Sequence, residues 1–342
     1  LRAARQPVVQ GRPAPRLRRP PPRPSPPRNK GHRLFRLAGA HQGAPRVFLD
    51  AGICVFMTEL QAQSDPSPSQ FQCGRFEFSL QRPLIMGVLN LTPDSFSDGG
   101  RHDTFEAALD QARALIAAGA DILDLGAEST RPGAASVPAD DELRRLLPLI
   151  EALREYPVPL SVDTRKPDVM RAVIAAGADM INDVGGFRLP EAIEAVAQSG
   201  CGLCVMHMQG DPATMQHQPR YQDVVEEVGA FLRERIAMLV SAGIDRSRIV
   251  IDPGIGFGKT LSHNLALIAA TARLSAIAPV LVGVSRKSML GEITGRPVDQ
   301  RLAASLSAAL AAVSRGARIV RVHDVAQTRD AMAVWCAVTK AG

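Results

Sequence analysis

The sequence predicts an α/β protein built as one closed barrel of eight strand–helix units. Short apolar runs alternate with segments of helical periodicity between Leu84 and Val338. Strict alternation of strands and helices forces a parallel sheet, and eight units in about 250 residues suit a closed (β/α)8 TIM barrel better than an open sheet. The phrase Ala-Ala-Gly-Ala-Asp occurs at 117–121 and again at 175–179, where it marks a helix end, a glycine stop and the next connection.

Each predicted strand is a short apolar run that ends at a polar residue. The first run, 84–89, is apolar or small throughout, stops at Asn90 and is followed by turn-forming residues. A continuous apolar run of this kind predicts a strand that is buried on both faces. The eight predicted strands cover 84–89, 122–126, 160–162, 180–181, 202–206, 249–251, 280–284 and 319–320.

A helix is predicted after every strand. Thr104 can cap the first helix and Gly119 can end it, and Pro167 suits the first turn of the third helix. The predicted helices cover 105–119, 140–155, 167–176, 190–198, 221–242, 261–274, 298–315 and 327–338.

Residues 1–56 are set apart by their composition. They hold eleven Arg and one Lys against one Asp, and their Pro/Arg-rich run cannot form a packed core. We expect a disordered extension over 1–56 that is not part of the native protein, a lead-in over 57–82 and the barrel over 83–339. The preferred explanation is translated upstream sequence, with the start at Met57, the first methionine. An organelle-targeting peptide and a basic nucleic-acid-binding arm remain alternatives.

The positive net charge of the chain, +6, belongs to this extension alone, because residues 1–56 carry +11 and the remaining residues carry −5. A mildly acidic body argues against a nucleic-acid-binding fold, and no apolar run has the length of a membrane span. The five cysteines are odd in number and scattered, which argues against a disulfide framework and favours the reducing cytoplasm. We interpret Cys201 and Cys204, a C-x-x-C pair without a second pair, as buried structural thiols.

Polar or charged residues follow all eight predicted strands. The carboxyl ends of barrel strands form one rim where ligands bind, so these residues predict a binding site. Aspartate and asparagine suit the edge of a planar, N–H-rich heterocycle, whereas lysine, arginine and histidine suit phosphate or carboxylate. Asn90 could add a neutral oxygen to a Mg²⁺ shell built mainly from water and substrate phosphates. The rim residues are Asn90, Thr130 with Glu128 and Arg131, Asp163, Asn182, His207, Asp252, Lys287, and Arg321 with His323.

Two other patterns are set aside. Gly258-Lys259-Thr260 resembles the end of a phosphate-binding P-loop, but Pro253 stands where the first glycine is required. His207 and His217 could suggest a metal pair, but they lack the i, i+4 spacing of a helical pair. We therefore favour rim and loop roles for both histidines.

Eight motifs follow one another in order along the predicted barrel. They are MGVLNLTPDSFSDGG (86–100), ESTRPGA (128–134), SVDTRKP (161–167), INDVGG (181–186), MHMQGDPATMQ (206–216), IDPGIGFGKT (251–260), VSRKSMLG (284–291) and RVHDV (321–325). Together they resemble bacterial dihydropteroate synthase, the pterin-binding TIM-barrel family that sulfonamides inhibit in folate biosynthesis. The resemblance runs without gaps to about Val338.

The resemblance implies a role for individual motif residues, and it implies a homodimer that uses Mg²⁺. Asn90 would contact Mg²⁺ and diphosphate, and catalysis would rest on Asn90, Asp163, Lys287, Arg321 and His323. The pterin diphosphate would be held by Thr130, Asp163, Asn182, Asp252, Lys287, Arg321 and His323. The 4-aminobenzoate pocket would be shaped by Arg131, Pro132, Phe257 and Ser288. Ala127 departs from the family's usual glycine, but activity is still expected because Thr130 and Arg131 remain.

The activity that the resemblance implies is a transfer reaction in the cytoplasm. It joins (7,8-dihydropterin-6-yl)methyl diphosphate to 4-aminobenzoate and gives 7,8-dihydropteroate and diphosphate. One alternative is a pterin-binding methyltransferase acting on methyltetrahydrofolate and a corrinoid, which should lack Ser-Thr-Arg-Pro-Gly together with Ser-Arg-Lys. The other is a catalytically silent paralogue. It should have lost one of four residues that are all present, namely Asn90, Lys287, Arg321 and His323.

Overall fold

A computed structural model of the chain describes residues 69–91, 101–129, 136–211 and 214–341. The extension 1–56 lies outside the described residues, and so do Thr130, Arg131 and Pro132. No helix in these described ranges combines the length and the apolar character of a membrane span.

The described chain begins with a short antiparallel hairpin and continues into a barrel. The hairpin consists of β1 (Gln70–Cys73) and β2 (Phe76–Ser79). The barrel strands are β3 (Leu84–Asn90), β4 (Ile122–Gly126), β5 (Leu160–Asp163), β6 (Met180–Asp183), β7 (Gly202–Met206), β8 (Ile249–Asp252), β9 (Val280–Gly283) and β10 (Ala317–Val322). They pair in parallel in the closed order β10-β3-β4-β5-β6-β7-β8-β9, which confirms the predicted (β/α)8 TIM barrel.

One or two helices follow each barrel strand. They are α1 (Arg101–Ala117), α2 (Ala139–Leu153), α3 (Pro167–Ala176), α4 (Pro190–Ala197), α5 (Val224–Ser241), α6 (Leu261–Ala269), α7 (Thr271–Ser275), α8 (Ser288–Thr294), α9 (Leu302–Val313) and α10 (Val325–Ala341).

The helix pattern differs from the sequence-based expectation in two places. The helix predicted over 261–274 is two helices, because Ala270 ends α6 with ψ near 10° and α7 restarts at Thr271. Helix α8 was not predicted, since seven residues are too few to show helical periodicity and Gly291 interrupts them. The other predicted helices are present, with ends that shift by up to four residues.

The side chains of the barrel strands fall into two layers. Alternate residues of a strand point to opposite faces, and one set fills the barrel interior: Leu84, Met86, Ile122, Met180, Cys204, Val250, Leu281 and Ile319. The other set packs outward against the helices in a larger apolar cluster. In most of the strands both faces therefore carry apolar residues, which explains the continuous apolar runs in the sequence.

The hairpin closes the amino-terminal end of the barrel. Phe71 and Cys73 are fully buried and belong to the interior cluster. The Phe71 ring lies so close to Gly202, at the start of β7, that a Cβ atom there would approach the ring to 2.8 Å. Arg75 in the hairpin turn bonds Asp179 beside β6, with Nε 2.9 Å from Oδ1 and Nη2 3.0 Å from Oδ2. The opposite, carboxyl end of the barrel lies away from this plug.

Candidate active site

The interior face of the barrel becomes polar toward the carboxyl ends of the strands. Because side chains two residues apart share a face, four of the interior apolar residues are each followed on that face by a polar residue. The pairs are Ile122 and Asp124, Met180 and Asn182, Val250 and Asp252, and Ile319 and Arg321. The strand register places Asp163 directly beside Asn182. The structure therefore brings most of the predicted site residues together at one end of the barrel.

Arg321 lies at the centre of this polar group. Its Nε donates to Oδ2 of Asp124 at 2.6 Å, and its Nη2 donates to Oδ2 of Asp163 at 3.0 Å. Burial alone would lower the pKa of Arg321, but the two carboxylates raise it above its ordinary value. The guanidinium is therefore a fixed positive charge between two aspartates, and the structure places it inside the barrel mouth.

Asp163 has an unusually high pKa. Burial raises it most, the positive charge of Arg321 lowers it and the negative charge of Asp124 raises it, and together these effects bring it to about 7. Asp183, at the end of β6, also has a raised pKa of about 6 because it is buried, although it accepts N–H bonds from Gly185 and Phe187. Perturbed carboxyl groups clustered in a cleft are typical of functional sites.

Asn182 presents an unsatisfied acceptor. Its Nδ2 donates to Asp124 Oδ2 at 3.4 Å, but its Oδ1 is buried and has no hydrogen-bond partner in the structure. Leaving a buried acceptor unpaired costs about 1–3 kcal/mol. A ligand carrying an N–H group would remove that cost.

Asp252 and Lys287 are two further charged residues of the site. Burial raises the pKa of Asp252, whose Oδ1 accepts the Gly254 N–H at 2.7 Å. Burial lowers the pKa of Lys287 to about 8, and Asp252 partly opposes this shift. The Lys287 Nζ donates to the Ile255 carbonyl at 2.5 Å and lies 4.2 Å from the centre of the Phe257 ring. The ammonium thus lies beside Phe257 and is close enough to Asp252 to feel its charge.

An apolar wall stands beside these charges. Three methionines, Met206, Met208 and Met215, pack with Val184, and Phe257 packs against them. Methionine adapts its shape and is polarisable, so such a wall suits the face of a flat ring. Sequence reasoning missed this wall, because its members come from three different loops and strand ends.

His323 is held by the neighbouring loop. Its Nδ1 lies 3.0 Å from the hydroxyl of Ser285, and its backbone N–H donates to the same oxygen at 3.2 Å. In the next residues of both loops, Arg286 Nε donates to Asp324 Oδ2 at 3.1 Å. The connections after β9 and β10 are therefore clamped together, with His323 half-buried at the rim.

A second buried cation was missed by sequence reasoning. Lys259 Nζ lies 3.0 Å from His207 Nδ1 and donates to the carbonyls of His207 and Phe257 at 3.3 and 2.9 Å. Burial lowers the pKa of Lys259 to about 7 and that of His207 to about 3. Their contacts tie together the loops after β7 and β8. The expected rim role of His207 agrees with this position, and His217 is exposed elsewhere on its loop.

An ion-pair cluster anchors the connection between β4 and α2. Lys166 bonds Glu128 and also Glu142, the latter at 2.7 Å, and Arg165 Nη2 lies 3.3 Å from Glu128 Oε1. Glu128 also accepts the Val137 N–H at 3.3 Å. One carboxylate thus holds both ends of the connection that contains the predicted substrate residues Thr130, Arg131 and Pro132.

The remaining predicted residues lie at the rim. Asn90 ends β3 and is half-buried, and Ser288 is exposed at the start of α8. Ala127 is fully buried, and its carbonyl accepts a bond from Arg145 at 2.9 Å. Its methyl group is thus accommodated in the core.

Residues 86–323 match the family described as pterin binding enzyme. This range spans the barrel from β3 to His323 and includes every described residue of the site. The chain belongs to the pterin-binding enzyme family.

Proteins similar to the chain over its barrel are dihydropteroate synthases. The enzyme of Escherichia coli K12 is 48% identical over 257 residues, which cover 75% of this chain and 91% of that protein. A crystal structure of the Burkholderia cenocepacia enzyme complexed with 7,8-dihydropteroate is 53% identical, with a TM-score of 0.74, and covers 80% of this chain and 98% of that chain. The Xanthomonas albilineans enzyme with 4-aminobenzoic acid is 52% identical, with a TM-score of 0.75, and covers 79% and 98%.

Proposed function

We propose that this chain is a dihydropteroate synthase. It condenses (7,8-dihydropterin-6-yl)methyl diphosphate with 4-aminobenzoate and gives 7,8-dihydropteroate and diphosphate, a transferase step of folate biosynthesis. The observation that carries the proposal is the grouping of Asp163, Asn182, Asp252 and Lys287 at one end of a barrel. That barrel is about half identical to synthases crystallised with product or with 4-aminobenzoic acid.

The pterin ring is held by acceptors on one side and by a cation on the other. Asp163, Asp252 and the unpaired Oδ1 of Asn182 accept N–H bonds from the ring edge. Lys287 donates to a ring acceptor, and its lowered pKa reflects the dry surroundings that strengthen such a bond. The methionine wall covers a ring face. This donor and acceptor pattern fits an amino-substituted heterocycle.

The second substrate binds over Phe257 and Ser288, with Arg131 and Pro132 from the connection after β4. Phe257 offers an aromatic surface next to the Lys287 ammonium, and an arginine can pair with the carboxylate of 4-aminobenzoate. The aryl amine is neutral at pH 7 and nucleophilic, so binding has mainly to orient it toward the pterin CH2 group.

The reaction replaces one bond to the pterin CH2 group with another. The C–O bond to diphosphate breaks with its electron pair leaving on oxygen, the amine nitrogen forms the new C–N bond, and the amine then loses a proton. Positive charge develops on the pterin as diphosphate departs, and Asp163 and Asp252 face that charge. His323, Arg321 and Lys287 supply positive charge toward the departing anion, which is the largest electrostatic demand of the step.

Magnesium fits the donor set at the mouth of the barrel. The ion prefers oxygen ligands and keeps several waters, and Asn90 offers one neutral amide oxygen there. No group of three or more His, Cys, Asp or Glu in the described ranges is placed to hold a metal, so the substrate diphosphate and water would supply the other ligands. When bound, Mg²⁺ would neutralise charge on the departing diphosphate.

The chain is also proposed to form a homodimer in the cytoplasm. Four large apolar side chains are exposed on α6, on α8, on the turn before α9 and on the first residue of α9: Leu265, Ile293, Val298 and Leu302. The helices α6, α8 and α9 contact one another. A contiguous exposed apolar surface favours a protein partner. Cys73, Cys201, Cys204 and Cys336 are all free thiols, which suits a reducing compartment.

A diphosphate-release assay tests the activity directly. The full chain is incubated with the pterin diphosphate, with 4-aminobenzoate, and with both, and diphosphate is measured by a coupled enzyme reaction. We expect release only when both substrates are present, with 7,8-dihydropteroate formed in equal amount. Release that does not depend on 4-aminobenzoate would indicate a hydrolase, and no release at all would favour the silent paralogue.

Asp163→Asn and Asp179→Asn form a matched pair for this assay, because both aspartates are buried in the barrel but at opposite ends. We expect Asp163→Asn to lose most of the activity and Asp179→Asn to keep it in the fraction that folds. Equal losses in both variants would mean that the carboxyl end of the barrel is not the site.

A further inference from the structure

Asp124 is a fully buried carboxylate in the middle of an apolar strand. It lies in β4 between Leu123 and Leu125, both also fully buried. Its side chain points into the barrel, because it shares a strand face with Ile122 of the interior cluster. A buried charge without partners is too costly to persist, so its contacts must compensate.

Three side chains bond the Asp124 carboxylate. The Ser161 hydroxyl donates to Oδ1 at 2.6 Å, and Arg321 Nε donates to Oδ2 at 2.6 Å. Asn182 Nδ2 also donates to Oδ2, at 3.4 Å. Both oxygens are therefore occupied by the protein itself, and the group has no solvent-exposed surface.

The contacts of Asp124 lead to the site, although Asp124 itself cannot touch a ligand. Arg321 extends from Asp124 to Asp163: its Nε and its Nη2 both lie 2.6 Å from Asp124 Oδ2, and Nη2 also lies 3.0 Å from Asp163 Oδ2. The guanidinium is planar, so a fixed Nε direction also determines where its Nη2 points.

We propose that Asp124 is a positioning residue that holds Arg321 in the orientation in which its guanidinium faces Asp163 and the pterin pocket. Asp124 thereby keeps the positive charge of Arg321 in place at the barrel mouth in the free protein, before substrate arrives, so that binding does not have to order it. This inference rests on the proposed pterin site, and it adds a residue that the sequence motifs do not mark as functional.

A double-mutant cycle on ligand affinity tests the proposal. The probe is 6-hydroxymethylpterin, which lacks the diphosphate, and its dissociation constant is measured by calorimetry. We expect Asp124→Asn to weaken binding about tenfold, the size of one lost charge-assisted hydrogen bond. In a chain that already carries Arg321→Met, the same change should weaken binding less than about threefold, because the residue acts through Arg321. Equal weakening in both backgrounds overturns the proposal, and so does unchanged affinity of Asp124→Asn.

Asp179→Asn is the matched control for a purely structural effect. Asp179 is equally buried and bonds Arg75 at the closed end of the barrel. Its substitution should lower the melting temperature and leave the dissociation constant unchanged. If the Asp124 variant behaves in the same way, the role of Asp124 is structural and the proposal is wrong.

Ser161→Ala provides a milder second variant, which keeps the proposal testable if Asp124→Asn does not fold. It removes only the hydroxyl that holds the far oxygen of Asp124. We expect weaker pterin binding that disappears in the Arg321→Met background, and unchanged affinity would overturn the proposal. The wild-type chain separates this result from the proposed function: if the wild type does not bind 6-hydroxymethylpterin, the pterin site itself is wrong.

Discussion

Ionisable side chains at the barrel mouth have pKa values that differ from their values in water. Asp163, Asp183 and Asp252 share the mouth with Arg321 and Lys287, and burial shifts the pKa of each carboxyl upward. The fold tolerates this arrangement because each charge has a nearby opposite charge or N–H donor. A cationic or N–H-rich ligand would further reduce the cost of burying these carboxyl groups.

The pterin affinity should depend on the ionisation of Asp163. A carboxylate accepts N–H bonds with both oxygens, whereas the protonated acid cannot, so affinity should rise as pH increases through about 7. Calorimetry with 6-hydroxymethylpterin across this range measures the effect, and Asp163→Asn should remove it. An unchanged pH profile in Asp163→Asn would assign the titration to another group, such as Asp183.

The stability of the ligand-free protein should change with pH in the opposite direction. The pKa of Asp163 in the fold, about 7, lies above its ordinary value of 3.8. Its stabilising contribution is therefore present below the ordinary value and lost as pH rises to about 7. His207 opposes this trend, because its pKa is lowered to about 3 and its contribution is lost as pH falls. The melting-temperature difference between wild type and Asp163→Asn isolates Asp163, and it should shift in favour of Asp163→Asn as pH rises.

His323 should act on the diphosphate and not on the pterin ring. We expect His323→Ala to reduce turnover by on the order of 10²-fold, the usual loss for one charge-stabilising donor. Affinity for 6-hydroxymethylpterin should stay nearly unchanged. Ser285→Ala, which removes the hydroxyl at Nδ1, should give a smaller loss of the same kind. A variant that melts much earlier and loses both ligands together would show that His323 is structural.

At the scale of elements, the hairpin stabilises the barrel from the end opposite to the site. Phe71 fills the interior between β7 and the hairpin and has no exposed surface. The loops that carry the chemistry are therefore separated from the plug by the full length of the strands. Stability and ligand binding can be changed independently at the two ends, as is usual for this architecture.

Phe71→Ala tests this separation. Removing a fully buried phenylalanine ring should lower the free energy of unfolding by about 3–5 kcal/mol, measured by urea denaturation. Phe76→Ala is the control, because Phe76 lies on the same hairpin but is only half-buried, and its loss should be smaller. The dissociation constant for 6-hydroxymethylpterin should be unchanged in both folded variants. A large loss of affinity in Phe71→Ala would show that the two ends of the barrel are coupled.

At the scale of the whole molecule, the exposed apolar surface of α6, α8 and the turn before α9 should hold two chains together. Light scattering after size exclusion should give twice the chain mass of 36.5 kDa. Ile293→Asp places a charge in this surface, where Ile293 is 53% exposed, and should give monomers. Leu189→Asp is the control, since Leu189 is similarly exposed but precedes α4. Dimers in Ile293→Asp would locate the interface elsewhere.

The chain should function without its basic extension. A chain that begins at Met57 keeps every described element and site residue. We expect its melting temperature and its diphosphate release to match those of the full chain, because residues 1–56 lack a core-forming pattern. Loss of expression or activity on truncation would contradict this interpretation.

The sequence alone determined the barrel and most members of its rim. Strands buried on both faces appear as continuous apolar runs, and the residue after each run necessarily lies at the carboxyl end. Local order along the chain was therefore enough to place Asp163, Asn182, Asp252 and Lys287 at one end. It was not enough for the hairpin or α8, which are too short for periodicity to reveal.

Only the tertiary structure decided which of these side chains are in contact and which of their pKa values are shifted. Asp124 could have been suspected as a charged residue inside an apolar run, but nothing local links it to Arg321, which lies 197 residues away in the chain. In the sequence, Lys259 belongs to a pattern that only resembles a P-loop, and Ser285 belongs to the motif at 284–291 without an assigned role. The fold places these two side chains against His207 and His323. Contacts, burial and pKa values depend on residues that are far apart in the chain and become neighbours when the barrel closes. The barrel closes only when all eight strands have paired, so no local segment of the sequence shows these neighbours.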